Sequence, residues 1–525
     1  MQPSCVRQDQ IPGTSALFAD YLYQFDKLSA FFPYSSWHAD AVASAAQSVS
    51  FPAERRTQIV AALAKQNHNP AALAKLAQPD TVAIVTGQQV GFLLGPAYTI
   101  FKALTAVKLA DYLNGQGISA VPIFWCATED HDLAEVDHAW LFNHDATPSK
   151  VGLAGSLVNG GPVGDVALNE IPLPEIRSAL GDLPFADEVM KQIGAAYQPG
   201  VTLGAAFRQL LEETLKGLGL LYLDPLTAPV RAVAAPFLCD AVQRVPELLN
   251  ALRARNNEIA TAGYHTQVHI DDDSSLFFLL NNGRRWPIRW KNGRFTSKES
   301  SYAPAELGAL TGQLSPNALL RPVMQDYLLP TAAYVAGPAE TAYFAQSAVL
   351  YDRLLGRMPV IYPRNGFTLV DARAAKLLTR YDVRVPDLLG HRDNVKGMLA
   401  ARLVPPALSE QIKAAHAAAS QALAQLQSGL QHFDPTLQAA TGKSTAKIAY
   451  QFAKLERKIA RETMRRDERA TKDADYLLNL IYPQRHLQER FYSIIPFLAK
   501  HGFDLPRELL SQIQLSCPDH MLRAF

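Results

Sequence analysis

The sequence predicts an α/β fold: a parallel sheet with crossover helices, interrupted by two insertions and followed by a long helical hairpin. Three observations predict it. The apolar run Thr81 to Val85 stops at Thr86-Gly87-Gln88-Gln89, and Gly95-Pro96 then opens a segment whose apolar residues Ile100, Phe101, Leu104, Val107 and Leu109 fall at roughly helical spacing. A second apolar run, Ala120 to Cys126, gives way to Glu129-Asp130-His131-Asp132. Strand, turn, helix and strand thus follow one another with polar side chains at the strand ends, where ligands bind in such sheets. Far downstream, Leu408, Ile412, Ala415, Ala419, Ala422 and Leu426 step by four and three, as do Ile448, Phe452, Leu455 and Ile459. Two antiparallel helices fit this pattern, broken at Phe433-Asp434-Pro435, and such a seam is a common dimer interface.

The bulk numbers set the class. A chain of 525 residues exceeds one domain, and 48% hydrophobic residues suffice for sizeable cores. With 19% charged residues and a net charge of +1, nothing points to nucleic acid or a membrane surface. No apolar stretch approaches the ~20 residues of a membrane span, and the N-terminus has no basic start followed by an apolar run. The four cysteines (Cys5, Cys126, Cys239, Cys517) are far apart and form no CxxC, against a disulfide scaffold or structural zinc. Cys126, ending an apolar strand, reads as a buried thiol rather than a nucleophile. A cytoplasmic protein is expected.

In chain order, residues 1–141 read as N-terminal helices (Leu17, Tyr21, Phe25 and Leu28 share a face) and the first half of the core. Residues 142–200 turn richer in Gly and Pro, with short alternating runs at 150–152 and 163–166, and read as a first insertion. Residues 201–263 give a helix from Thr202 to Leu218, a strand Leu220 to Leu223 and a helix from Pro236 to Asn256. Residues 264–330 read as a second, β-rich insertion: strand candidates at 268–270, 276–280 and 285–290 carry the hairpin signals Asn282-Gly283 and Asn292-Gly293. Core rhythm returns over 331–404, with strands Ala333 to Ala336 and Val360 to Tyr362 flanking a helix from Glu340. The helical arm spans 405–475, and 476–525 is a docking tail. Lys454, Arg457, Lys458, Arg461, Arg465, Arg466 and Arg469 on the arm read as a solvated face before an anion site.

Three stretches bear chemistry. Thr86-Gly87-Gln88-Gln89 with Gly95, Pro96, Thr99 and Lys102 joins close backbone approach to a helix N-terminus and a cation, which suits an anion; an ordinary strand-to-helix turn would look the same. Glu129-Asp130-His131-Asp132 is followed by Glu135 and His138. If a helix starts at His131, then His131, Glu135 and His138 share a face. That face suits a general base, a metal, or a capped and charged first turn. Finally, Asn317, Arg321 and Gln325 in LSPNALLRPVMQD and Gly337, Glu340 and Tyr343 in AGPAETAY are polar positions among apolar ones, the make-up of a binding wall.

Together, TGQQVGFLLGPAYTIFKALTAVKLA, PIFWCATEDHDLAEVDH, LSPNALLRPVMQDYLLPTAAYVAGPAETAYF and YPQRHLQERFYSIIPFLAKHG resemble, in order and over essentially the whole chain, the cysteine-adding BshC family of bacillithiol biosynthesis. One block differs from the family's frequent Gly-Pro-Gly-Glu, reading Gly337-Pro338-Ala339-Glu340. The resemblance implies a Rossmann-like core similar to nucleotidylyltransferases and class I synthetases, two inserted connecting peptides and a dimerising coiled-coil arm. It implies a ligase that joins the carboxyl group of L-cysteine to the amine of glucosaminyl malate. The chain departs from those synthetases in lacking both the HIGH and the KMSKS signature. Forming an amide from a free carboxylate still needs activation, for which ATP with Mg²⁺ is a candidate donor, and no tightly bound cofactor is expected. On this reading Thr86, Gly87, Gln88, Gln89, Thr99 and Lys102 hold anionic groups. Asp130 or His131 takes the ammonium proton, Glu129 binds the cysteine amine, and Arg321, Arg364 or Lys102 pairs with the malate carboxylates. The alternatives are a metal-dependent hydrolase built on His131, Glu135 and His138, and a non-catalytic coiled-coil scaffold.

Overall fold

The computed structural model describes residues 4–34, 36–153, 160–297, 300–390, 392–430 and 434–525. Parts of the two expected insertions (154–159 and 298–299) and Phe433 of the expected arm break lie outside the described residues. In chain order, the elements that matter for the site are β1 (Val82–Gln89), α1 (Tyr98–Gly115), β2 (Ala120–Ala127), β3 (Leu221–Leu223), β4 (Phe277–Asn281), β5 (Arg284–Pro287), α2 (Arg321–Leu328), β6 (Thr331–Ala336), α3 (Pro338–Leu355) and β7 (Val360–Pro363). The arm follows as α4 (Pro406–Leu430) and α5 (Pro435–Arg466).

By contacts the chain divides into two compact units: residues 4–368 with 489–521, and residues 369–488 with 522–525. The larger unit holds a five-stranded sheet in the order β7-β6-β1-β2-β3, every neighbouring pair parallel. Its strands are buried on both faces, so they read as continuous apolar runs rather than alternating ones. From β1 the chain winds outward through β2 and β3, then returns to lay β6 and β7 on the other side of β1. The direction of winding reverses between β1 and β6, which opens a crevice at their carboxyl ends. Helix α1 is apolar nearly all round and is accordingly buried against β1 and β2. The smaller unit is chiefly helical. In it Asp371 caps the helix Ala372–Arg380 by accepting from Ala374 N at 2.7 Å, and Tyr476 donates to its other carboxylate oxygen.

Several local readings change. The expected turn at Thr86 is still strand: register with β2 carries β1 on to Gln89, opposite Ala127. The turn lies instead at 91–97, where Leu93, Leu94 and Gly95 all have positive φ. Two consecutive leucines in that region are strained, and the loop is pinned by Tyr197 Oη, which accepts from Leu93 N at 2.9 Å, and by Ser493 Oγ, which donates to Leu93 O at 2.6 Å. The helix expected over Pro236 to Asn256 is two, Ala228–Gln243 and Val245–Thr261, broken at Arg244 with Pro246 in the opening turn of the second. Residues 268–270 form no strand, and 163–165 form a single 3-10 turn. The helix expected from His131 is one turn, Leu133–Val136, and His138 already starts the strand His138–Phe142. Both Asn-Gly hairpins form, with Asn282 and Gly283 at φ 51° and 70° and Asn292 and Gly293 at 49° and 77°.

Candidate active site

A cleft of about 620 Å³ opens at the carboxyl ends of β1, β2 and β6. The strands deliver Gly87, Gln88 and Gln89 from β1, Trp125 and Ala127 from β2, and Gly337 just past β6. Gly87 is required by close approach: a Cβ there would lie 2.7 Å from the carbonyl oxygen and 2.8 Å from Cβ of its partner Trp125. Among the expected residues, Glu129, Asp130, His131, Asn317, Arg321, Glu340, Tyr343, Lys102 and Arg364 also line the cleft. Thr86, Gly95, Pro96, Thr99 and Gln325 do not. Thr86 Oγ1 donates to Val335 O at 3.0 Å inside the sheet. Gly95 and Pro96 lie in the loop before α1, where Pro96 bridges to Ser493 and Ala97 N donates to Tyr492 O at 2.8 Å, and Thr99 is buried in the first turn of α1. Gln325 is fully buried one layer back, accepting from Arg321 at 3.3 Å and donating to Asp326 at 3.1 Å.

One end of the cleft is built around Glu340. Lys102 Nζ lies 2.7 Å from each of its carboxylate oxygens and also donates to Gly87 O. Tyr334 Oη and Gly337 N each donate to the same carboxylate at 2.7 Å, the latter capping α3. Burial opposes ionisation of Glu340, but Lys102 and these donors outweigh it and hold the carboxyl below its usual range. Burial likewise lowers Lys102, against the pull of Glu340. Lys102 was expected to take an anionic ligand; its donors are consumed by the protein. Arg364 is spent in the same way, on a bidentate pair with Glu489 at 2.9 and 2.5 Å. Arg321 differs. Among the described residues its hydrogen bonds go to neutral acceptors, Gln325 Oε1 and, at 3.0 Å, Tyr343 Oη. Arg490, which lines the same end near Tyr98, makes no ion pair among the described residues. Ala339 falls inside the first turn of α3, so its departure from glycine leaves that turn intact.

The other end carries the acid cluster. Glu129 is buried and pairs with Arg231 at 2.7 Å; burial raises its carboxyl although Arg231 and Arg285 pull it down. It was expected to meet an amine, and an arginine already occupies one oxygen. Gln89 Nε2 donates to Asp130 at 2.6 Å and to Glu135 at 2.9 Å. Burial would raise Asp130, but hydrogen bonding from His131 and Gln89, with Arg285 nearby, holds it below the ordinary carboxylate range. Arg285, on β5, donates to His131 Nδ1 at 2.8 Å. The metal reading lacks its geometry: the turn ends before His138, whose Nδ1 pairs with Asp137 at 2.8 Å, and no group of three or more His, Cys, Asp or Glu among the described residues is disposed to hold an ion. Cys126 is buried, with its thiol pushed up by burial, which disfavours the nucleophilic thiolate.

Sequence reasoning missed Arg285 and Arg490 as lining residues, and gave no role to Tyr98 and Tyr334 within the stretches it singled out. Arg285 lies on a hairpin strand recognised only as a strand candidate, and Arg490 in a tail block that carried the family likeness but was assigned to docking.

Comparison with known proteins agrees with this layout. Residues 1–365 match the family model for the bacillithiol biosynthesis BshC N-terminal Rossmann-like domain, and residues 367–523 that for the BshC C-terminal coiled-coil domain. A protein of Solibacter usitatus is 49% identical over 520 residues, covering 99% of both chains. One of Koribacter versatilis is 37% identical over 533 residues, again 99% of both, and one of Salinibacter ruber is 30% identical over 96% of this chain and 95% of its own. All three bear the name "Putative cysteine ligase BshC".

Proposed function

Because the chain belongs to the bacillithiol biosynthesis BshC family, we propose that it joins the carboxyl group of L-cysteine to the amine of glucosaminyl malate, through a carboxylate first activated as an acyl-adenylate or acyl-phosphate. The charge layout of the cleft carries this reading. At one end four cations (Lys102, Arg321, Arg364, Arg490) face two carboxylates (Glu340, Glu489), which leaves Arg321 and Arg490 to receive a ligand's negative charges. The two carboxylates of the malyl group supply them, with Arg321 kept from the three expected receivers and Arg490 joining it in place of Lys102 and Arg364. The amine then points toward Glu129 and Asp130. Asp130 is too acidic to hold a proton, so Glu129, raised by burial, is the better acceptor for the ammonium proton. Such chemistry rests on positioning and charge stabilisation, and needs no protein nucleophile.

Leu408, Leu426, Leu437, Tyr450 and Leu455 are exposed along α4 and α5, while Ile412 is buried. Leu408, Leu426 and Leu455 of the expected seam thus face outward, which supports a homodimer formed through the arm.

The test is a mass-spectrometric assay of purified protein with cysteine, glucosaminyl malate, ATP and Mg²⁺, following product thiol and nucleotide together. Product with matching AMP or ADP is expected. An unchanged thiol pool in a deletion strain, with no product under any donor, would overturn the assignment.

A further inference from the structure

His131 lines the cleft with its side chain about 40% exposed, in the position of a general base. Its hydrogen bonding says otherwise. Arg285 Nη1 lies 2.8 Å from Nδ1, and a guanidinium has donors only. The Nδ1 lone pair must therefore point at Arg285, and in the neutral ring the proton sits on Nε2.

Arg285 has little freedom to release it. Its side chain is 8% exposed, Nε donates to Ser315 Oγ at 3.1 Å, Nη2 donates to Pro316 O at 2.9 Å, and the guanidinium covers the Phe278 ring at 3.8 Å. The same ring supports His131, with centroids 5.3 Å apart. Among the described residues Asp130 is the one competitor for Nδ1, and it stands farther off than Arg285. Its Oδ1 is 3.5 Å from that nitrogen and already accepts the His131 backbone N–H at 2.7 Å. The charged groups that face this corner are Arg285, Asp130, Glu129 and Arg231. An imidazolium here would need a proton on the nitrogen that Arg285 occupies, beside a fixed positive charge.

We propose that Arg285 locks His131 as the neutral Nε2–H tautomer, so that His131 acts in this site as a hydrogen-bond donor to a carbonyl or carboxylate oxygen of an acyl substrate and not as a base. The tautomer stands on geometry alone; the acyl oxygen rests on the proposed ligation. When an amine adds to an activated carboxyl carbon, charge builds on the acyl oxygen, and a fixed N–H aimed at it stabilises the tetrahedral intermediate. His131 forms no bond and takes up no proton. Arg285 is a positioning residue.

Nitrogen NMR of the full-length protein carrying ¹⁵N-labelled histidine tests the tautomer without any assay of turnover, with the His131 signals assigned by their loss in His131→Gln. One bare and one protonated ring nitrogen, with the proton on Nε2, is expected for the neutral ring. A neutral ring with its proton on Nδ1 overturns the lock. The donor role is read separately in the ligation assay. Glutamine can donate from nearly the same place but cannot serve as a base, so His131→Gln should keep turnover within about tenfold of wild type, while His131→Ala falls by ~10²-fold or more, the range for loss of one such donor. Equal loss in both variants overturns the donor role. If no ligation is found for the wild type, the nitrogen spectra still decide the tautomer, and the failure belongs to the proposed function.

Discussion

Lys102 Nζ sits 2.7 Å from both carboxylate oxygens of Glu340, joining the buried helix α1 to the first turn of α3 across the point where the sheet reverses its winding. The pair fixes the separation of the two elements that flank the cleft, and its worth follows from burial. Lys102→Met should strand the Glu340 carboxylate and cost on the order of 3–5 kcal/mol of stability, whereas Lys102→Met with Glu340→Gln should recover much of it. Urea denaturation of the three proteins checks this. A Lys102→Met protein with wild-type stability and weakened ligand binding would instead restore Lys102 to the role of anion receptor.

Arg321 and Arg490 should behave in the opposite way. Neither has a carboxylate partner among the described residues, so Arg321→Gln or Arg490→Gln is expected to leave the denaturation midpoint nearly unchanged. Each should weaken binding of glucosaminyl malate by roughly 10- to 100-fold, the worth of one charged hydrogen bond. Titration calorimetry gives the affinity and thermal melts the control. Loss of stability without loss of affinity would mark both as structural.

Much of this molecule was legible because its signals are local. A parallel strand buried on both faces must be an apolar run, which is why 82–85, 120–126, 333–336 and 360–362 stand out. The Asn-Gly turns force positive φ and were equally plain. What the sequence hid is non-local. Gly87 to Gln89 look like a turn until pairing with Trp125 to Ala127 holds them extended. Lys102 looks like a free cation until Glu340, 238 residues away, meets it. His131 looks like a base until Arg285, 154 residues on, takes its nitrogen.

Glu129 sets a pH prediction. Burial raises its carboxyl above the ordinary value, and a base works only when ionised. Turnover at saturating substrate should therefore rise with pH through an acid limb lying above the normal glutamate range near 4.3. Glu129→Gln should lose that limb and fall by ~10²-fold or more. An unshifted profile in the variant would pass the proton to solvent or to the substrate itself.

The Arg364–Glu489 pair makes the larger unit acid-sensitive in a defined window. Burial works against Glu489, yet Arg364 and His520 hold it down at about 2, below the ordinary glutamate value of 4.5. A carboxyl lowered on folding contributes stability that is fully present above its unfolded value and lost as pH falls through the folded one. The contribution, on the order of 3 kcal/mol, should thus be intact at pH 6 and disappear between roughly pH 4.5 and 2. Comparing the wild type with Arg364→Met/Glu489→Gln by denaturant unfolding across that interval isolates it. The double variant removes both charges together and avoids leaving either one buried alone, so its stability should depend less steeply on pH. Parallel curves for the two proteins would show that other carboxylates govern the acid transition.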